Sequence, residues 1–302
     1  MAALLSAAFM FVGLRGNLAF ALELRAVRLL ALVQVGVAIA VSTVVFQTVT
    51  ANWILTPSIM GLDALYLFCQ TALVFVFGGL GFASLDPRLK FFGEVALMTT
   101  LTLALLLPML RRRFDIGLLL LTGVVLGVLF RSLSTLLARL IDPNEFAVVQ
   151  AASFADFNAV RSDLLAVGLV LTSIGAVIAW RTRHTLDILA LGADSAVGLG
   201  VNRSRTVAAL LLLVAALVAV STALVGPVTF LGLLVVALAE RIVNSRRHPL
   251  LLPAAALTAI IVLVGGQMLL QHGLGGVSTL GVVIEFVGGA VFLVMLLAAG
   301  KR

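Results

Sequence analysis

Charge is what this chain has least of. Of its 302 residues only 11% are Asp, Glu, Lys or Arg, 62% are hydrophobic, and the mean hydropathy is +1.24. A soluble domain carries about 25% charged residues. A soluble globular protein is therefore excluded, and membrane spans rather than soluble domains are the unit to count. There is one cysteine, Cys69, inside an apolar run. It can form no intrachain disulfide and says nothing about compartment. A Walker phosphate loop, a zinc-ligand spacing and a nucleophile elbow are all missing. That leaves no nucleotide site and no nucleophile–base constellation on which to build an enzyme. Gly192, Gly198 and Gly200 cluster loosely, but no strand precedes them and no Gly-Lys-Ser/Thr follows. His184, His248 and His272 lie far apart between apolar runs and read as solvated loop residues rather than metal ligands. No convincing repeat relates the two halves. No cleavable signal is evident. Met1–Leu14 is short for a span and has no basic stretch before it, so the expectation is that a few residues precede Met1.

What is present is apolar runs. Ten can be drawn: Met1–Leu14, Ala26–Thr50, Gly61–Ala83, Phe91–Leu110, Ile116–Leu137, Leu164–Trp180, Val207–Val225, Val228–Ala239, Leu250–Leu270 and Thr279–Ala299. The even number puts both termini on one side. With cytoplasmic termini, the inside loops and tail hold Arg111, Arg112, Arg113, Arg181, Arg183, Arg203, Arg205, Arg241, Arg246, Arg247, Lys301 and Arg302. The outside loops and span ends hold Arg15, Arg25, Arg28, Arg88, Lys90, Arg131, Arg139 and Arg161. Twelve against eight fixes that orientation modestly, with the densest clusters inside. The formal charge of +7 therefore reflects membrane orientation and does not point to nucleic acid.

Several interruptions carry information. Asn52–Gly61 is too polar for lipid and too apolar for an exposed loop, so it should tuck against the bundle. Asp142–Asn158 mixes polar and aromatic residues and suits a short helix across the outer mouth. Gly226–Pro227 splits two apolar runs at a depth where non-helical backbone is tolerated only if protein or a water-filled cavity buries it. Glycines inside spans, as in Leu121–Phe130 and Gly288–Gly289, mostly read as close helix packing.

The longest polar interruption with helical character is Leu191–Thr206. On residues alone it is either a connecting loop or a docking handle for a soluble partner. A short helix is expected at Ala193–Gly198, then a turn and a second short helix from about Asn202, capped by Asn202 or Ser204. Glu285 lies about two turns into the last run. It is either a polar group on a substrate path or a buried, hydrogen-bonded acid. Asp63 and Glu94, near the starts of their runs, are expected to reach the interface. Arg25 and Arg28, three apart, share a helix face at the start of the second run. They suit an acidic patch or anionic ligand, though interfacial snorkelling explains them as well.

In these motifs the chain resembles the iron-chelate uptake permeases of the FecCD family, over about residues 25–297. The family's coupling motif matches Leu191, Gly192, Asp194, Ala196, Leu199, Gly200 and Val201, with Ala193 in place of one acid. Its arginine pair matches Arg25 and Arg28, and a further segment matches Gln47, Thr50, Asn52, Pro57, Ile59 and Gly61. Its glycine-proline motif matches Gly226, Pro227, Phe230 and Gly232. There are departures: Val236–Ala237 replaces a proline-histidine, Glu240 stands where an arginine is usual with Arg241 beside it, and Gln271 and His272 stand near a missing arginine. These departures are similar to the branch that serves catecholate-type siderophores such as petrobactin.

The resemblance implies one all-α transmembrane permease domain over residues 1–302, a bundle of about ten helices like the cobalamin permease. Residues 182–206 would be its cytoplasmic coupling segment. It implies a multi-pass protein of the bacterial cytoplasmic membrane, with a second FecCD-type permease, either a copy or a relative. Two cytoplasmic ATPase subunits and an extracytoplasmic siderophore-binding protein complete the importer. ATP and Mg would be used by the ATPase, with no cofactor on this chain. Leu191, Gly192, Asp194, Ala196, Leu199, Gly200 and Val201 would couple to the ATPase, and Arg25 and Arg28 would dock the binding protein. Glu285, Gly288, Gly226 and Pro227 would border the path. The rival class is an ion-coupled secondary transporter using intramembrane acids such as Glu285.

Overall fold

In lipid every backbone polar group must be paired within the chain, so apolar runs of this length fold as helices. The computed structural model describes residues 1–13, 18–110, 116–273 and 279–299, and among these every regular element is helical. The elements are α1 (Ala2–Phe11), α2 (Leu18–Thr50), a 3-10 turn (Pro57–Met60), α3 (Leu62–Ser84), α4 (Pro87–Leu110) and α5 (Ile116–Ala138). After them come α6 (Pro143–Ala152), α7 (Ser162–Arg181), α8 (Arg183–Ala190), α9 (Ala193–Gly198), α10 (Arg203–Val225), α11 (Leu231–Val243), α12 (His248–Gly273) and α13 (Leu280–Ala299). The ten apolar runs are α1 to α5, α7 and α10 to α13. Among the described residues six helices are long and apolar enough to cross a membrane: α2, α3, α5, α7, α10 and α12. With 24 and 20 residues, α4 and α13 also have spanning length. The protein is an all-α, multi-pass membrane protein. Arg15, Arg111, Arg112, Arg113, Lys301 and Arg302, which enter the orientation count, lie outside the described residues.

The bundle is built around α2, whose 33 residues extend about 50 Å at 1.5 Å per residue. It packs against α7, α10, α11 and α12. Leu32, Val35, Ala38 and Phe46 are buried with Leu211 and Val214 of α10 and with Ala255, Ala259 and Leu263 of α12. Gly36 lets α12 come close: a Cβ there would lie 3.2 Å from a Leu263 methyl and 3.4 Å from Ala259. An interhelical hydrogen bond, Gln34 Nε2 to Thr172 Oγ1 at 2.8 Å, fixes α2 against α7.

Residues 52–61 do tuck into the bundle, with Pro57 and Met60 buried. Gln47 Nε2 donates to the Trp53 carbonyl at 2.9 Å and holds the start of that segment. Gly61 (φ 78°) then turns the chain into α3. The glycines of α5 receive this turn: a Cβ on Gly123 would stand 2.9 Å from Met60 Cα. The Gly123–Gly127 pair thus serves packing. Residues 142–158 contain the expected short helix, α6, with Asp142 accepting from Asn144 N–H as its cap. It packs on α3 through Val149, Ile141 and Val74.

Three expectations need correction. The helix carrying Arg25 and Arg28 begins at Leu18, not Ala26, because the stretch Leu18–Leu24, apolar but for Glu23, continues it; both arginines lie inside the helix. No second short helix starts at Asn202. Asn202 does cap, accepting from Arg205 N–H at 3.3 Å, but the helix it starts is the long α10. Arg203 and Arg205 are accommodated on its first turn, since long basic side chains reach the interface from a helix end. Thirdly, Asp63 and Glu94 do not reach the interface; each is 6% exposed.

Candidate functional site

The first site forms where α10 breaks. Gly226 takes φ 97° and ends the helix, and Pro227 and Val228 are buried behind it. The outer-loop residues expected to cross the mouth pack on this break: Asp156 N–H donates to the Val225 carbonyl at 2.8 Å. A Cβ on Gly226 would meet the Phe154 carbonyl at 3.2 Å. Thr229, two residues past the proline, donates to Asp63 Oδ2 at 3.2 Å. Ser58 of the tucked turn borders the same gap as Asp63, and the Arg131 guanidinium of α5 acts on that carboxyl across space. Glu285 of α13, half-buried, is close enough to Asp63 for the two carboxyls to interact. A gap of about 10 Å³, the size of one water, borders Thr43, Asp63 and Thr229.

Four sequence candidates therefore gather here, in two roles. Glu285 is the polar group. Gly226, Pro227 and Gly288 are buried packing positions; a Cβ on Gly288 would come within 2.5 Å of Phe230 Cβ. Asp63, Thr229 and Arg131 join them and were not singled out together from sequence. No spacing links them, since Thr229 is 166 positions from Asp63.

The same end of the bundle also holds a cavity of about 390 Å³ between α3, α4, α7 and the end of α10. Its buried acid, Glu94, accepts from Gln70 Nε2 at 2.8 Å. At its rim Arg88 and Arg161 both pair with Asp163, at 2.9 and 3.2 Å. Among the described residues no group of three or more His, Cys, Asp and Glu could hold a metal ion.

Arg25 has a local task. Its guanidinium donates to the carbonyls of Phe9, Met10, Val12 and Gly13, at 2.7–3.2 Å. Those are the unpaired acceptors at the C-terminus of α1, where a cation is favoured. Arg28 sits one turn on, half-buried, its Nε without a partner.

The second site is the segment 182–206. α9 occupies Ala193–Gly198, as expected, entered through Gly192. Only Ala196 is buried; Leu191, Val197 and Leu199 are 60–65% exposed, with Asp194 beside them. A Cβ on Gly198 or Gly200 would meet nothing within 4 Å. An apolar ridge with open glycines, outside the bundle, can fill a groove on another protein. The helix preceding it, α8, has no counterpart among the sequence expectations. It is amphipathic, with Leu186 and Leu189 three apart and buried.

His248 corrects the sequence reading. It is completely buried, with Nδ1 2.6 Å from Asp187 Oδ1 and Nε2 2.7 Å from Thr48 Oγ1. Its partners come from α8 and α2, which the sequence does not connect. His184 is exposed, and the side chain of His272 lies outside what is described.

The fold is that of a multi-pass membrane protein whose α10 break carries a polar cluster and whose exposed apolar segment around α9 is free to meet another protein. The FecCD transport family matches residues 3–298. The chain belongs to that family. It is 43% identical over 294 residues to a petrobactin import system permease, YclO of Bacillus subtilis, covering 97% of this chain and 93% of that one. It is 32% identical to the petrobactin import permease FatC of Bacillus anthracis, covering 90% and 77%. A solved ABC transporter, metal-chelate type by its description and inward-facing, superposes with a TM-score of 0.82 at 20% identity, covering 98% and 95%. That likeness shows the fold. The chain is thus a transport permease of the ATP-binding-cassette importer class, not an enzyme, and works with ATPase and substrate-binding partners. The ion-coupled secondary transporter is not favoured.

Proposed function

We propose that this chain carries ferric siderophores of the catecholate type, such as petrobactin, across the bacterial cytoplasmic membrane, with its termini in the cytoplasm. The observation that carries the reading is the 43% identity to a petrobactin permease along nearly all of both chains. A ferric siderophore is large and polar and cannot cross lipid unaided. A passage for it needs few strong contacts, so that cargo can leave. The cluster at the α10 break fits, since its acid Asp63 is already bonded to Thr229.

A second FecCD-type permease, identical or related, would cover the apolar faces that α5 and α13 leave open, including Leu121, Val125, Val128, Phe286 and Val294. The path would run between the two permeases, past Glu285, Gly226, Pro227 and Gly288. Two cytoplasmic ATPase subunits would grip α9 through Leu191, Val197 and Leu199, with Gly192, Asp194, Ala196, Gly200 and Val201 shaping the contact. ATP and Mg belong to those subunits, and this chain binds no cofactor. The siderophore-binding protein would dock on the opposite side at Arg25 and Arg28, Arg25 also holding α1. ATP binding can shift the permease between states only if the partner contacts them differently, which makes α9 the point of control.

The test is uptake by the reconstituted importer. Proteoliposomes holding the permease pair and ATPase, with binding protein added, should import ferric petrobactin and not free ferric iron. Bulky replacements at Gly198 and Gly200, where no neighbour crowds an added side chain, should leave the complex folded but separate ATP hydrolysis from uptake; at Gly200 (φ 83°) the substitution also carries a local backbone cost of about 1–2 kcal/mol. Normal transport by both variants would refute the coupling role.

A further inference from the structure

One buried cluster at the α8–α9 end belongs to none of the roles above. His248 opens α12 and is fully buried. Its backbone N–H donates to Asp187 Oδ1 at 2.9 Å, and its ring Nδ1 lies 2.6 Å from the same oxygen. On the far side of the ring, Nε2 lies 2.7 Å from Thr48 Oγ1, which is itself 2.8 Å from the Val44 carbonyl. Burial works against the Asp187 carboxylate, but the His248 N–H and ring outweigh it and hold that carboxyl below its usual range. An ionised carboxylate only accepts, so Nδ1 carries the proton.

This arrangement does what an N-cap does, from a different element. The first N–H groups of a helix lack intrahelical partners, and a negative charge is favoured there. Pro249 has no N–H to satisfy, so the His248 N–H is the donor that needs a partner. Asp187, on α8, supplies it. Three elements are thereby tied at one point: α8, the start of α12 and the last turn of α2. Leu186 and Leu189 also seat α8 on the bundle, but apolar contacts alone let a helix slip. A charged hydrogen bond with a single geometry fixes register.

We propose that Asp187, His248 and Thr48 form the link through which movement of the α8–α9 segment reaches α2 and α12. The proposal rests on the reading of residues 182–206 as the ATPase-coupling segment. The three are positioning residues that touch neither cargo nor nucleotide. α9 presents the grip, and α8 is its anchor. From Thr48 the continuous α2 leads back to Thr43, against which Gly232 of α11 packs so closely that an added Cβ would overlap its hydroxyl. Thr43 borders the gap beside Asp63 and Thr229. A chain of packed, rigid elements thus joins the handle to the broken helix, as coupling between distant sites requires.

The experiment uses the complete importer in proteoliposomes with ferric petrobactin as cargo. Cargo imported per ATP hydrolysed is measured for Asp187→Ala, His248→Gln and Thr48→Val, with Asp187→Asn as the conservative variant. Asp187→Ala and His248→Gln should keep ATP hydrolysis and lower cargo per ATP by about tenfold or more, the loss of one charged hydrogen bond. Asp187→Asn, which still accepts from the backbone, should fall between. The double variant should do no worse than its worse single parent, because the residues act as one unit. Thr48→Val removes one hydroxyl at nearly constant volume, so it reads the same ratio should the Asp187 and His248 variants fail to assemble. An unchanged ratio in any assembled variant, even one with a lower melting temperature, reduces the cluster to a structural contact and overturns the proposal. The Gly198 and Gly200 variants separate the two readings. If they leave coupling normal, the coupling segment itself is wrong. If they uncouple while the Asp187 variants do not, only the link is wrong.

Discussion

Gly61→Ala is the sharpest probe of how the first site is held. Gly61 joins the 3-10 turn to α3 with φ 78° and ψ 9°. An alanine in that left-handed region costs about 1–2 kcal/mol. Its Cβ would also lie 3.0 Å from both the Gly123 carbonyl oxygen and the Gly127 nitrogen. Both are backbone atoms of α5 and cannot swing aside. Overpacking of this kind costs about 1–3 kcal/mol. Together the two effects give about 2–5 kcal/mol. Gly289→Ala in α13 is the matched control: nothing lies within 4 Å of its added Cβ, and alanine is favoured inside a helix by about 0.5–1 kcal/mol. Thermal unfolding in mild detergent should show Gly61→Ala clearly destabilised and Gly289→Ala at or above wild type. Uptake should fall further than stability does, because Asp63 is two residues away and moves with the turn. If Gly61→Ala melts with the wild type, the seating of the turn on α5 is not what holds α3.

The α1 capping and the driving force can be checked in the same preparation. Arg25→Gln removes the cation from four carbonyls at the end of α1, so amide exchange in residues 2–11 should rise while the rest of the bundle keeps its protection; unchanged exchange would show that α1 is held without it. For an ATP-driven importer, Glu285→Gln should leave uptake insensitive to collapse of the pH gradient at constant ATP, as in the wild type; gradient-dependent uptake in the wild type would return the ion-coupled reading.

How much of this was legible in the sequence depended on how far apart the partners lie. The apolar runs became helices because lipid allows little else, and even α9 falls at Ala193–Gly198 because glycines bound it on both sides. The tucked 52–61 segment was legible from its intermediate polarity. What failed shares one cause. His248 is separated from Thr48 by 200 positions and from Asp187 by 61, so nothing nearby says that its ring is buried and satisfied. Asp63 looked interfacial because its run begins there, yet its partner Thr229 arrives from the break in α10. Two local misjudgements had local causes. The apolar runs start at Ala26 and Val207, yet the helices begin at Leu18 and Arg203, because long charged side chains at a helix end can reach the interface. And α8 has only eight residues, too few for its apolar spacing to stand out from a loop.

The buried acids bear on where the energy enters. An ionisable group inside a span is by default a candidate for ion coupling, and among the described residues two acids, Asp63 and Glu94, are almost fully buried. Each, however, is already engaged: Glu94 accepts from Gln70, and Asp63 from Thr229. A group that must load and release an ion in every cycle is poorly served by partners that hold it in one arrangement. The bundle interior therefore looks built to stay packed while whole elements shift. In the proposed mechanism the outside force enters at the α8–α9 end, where Leu191, Val197 and Leu199 are exposed on and beside α9 and α8 is anchored by a charged hydrogen bond. Exposed grip, anchored lever and a continuous α2 leading to a broken helix form one mechanical sequence. It needs no proton or sodium ion to bind within the chain, and it ties the family's dependence on a separate ATPase to residues that can be changed one at a time.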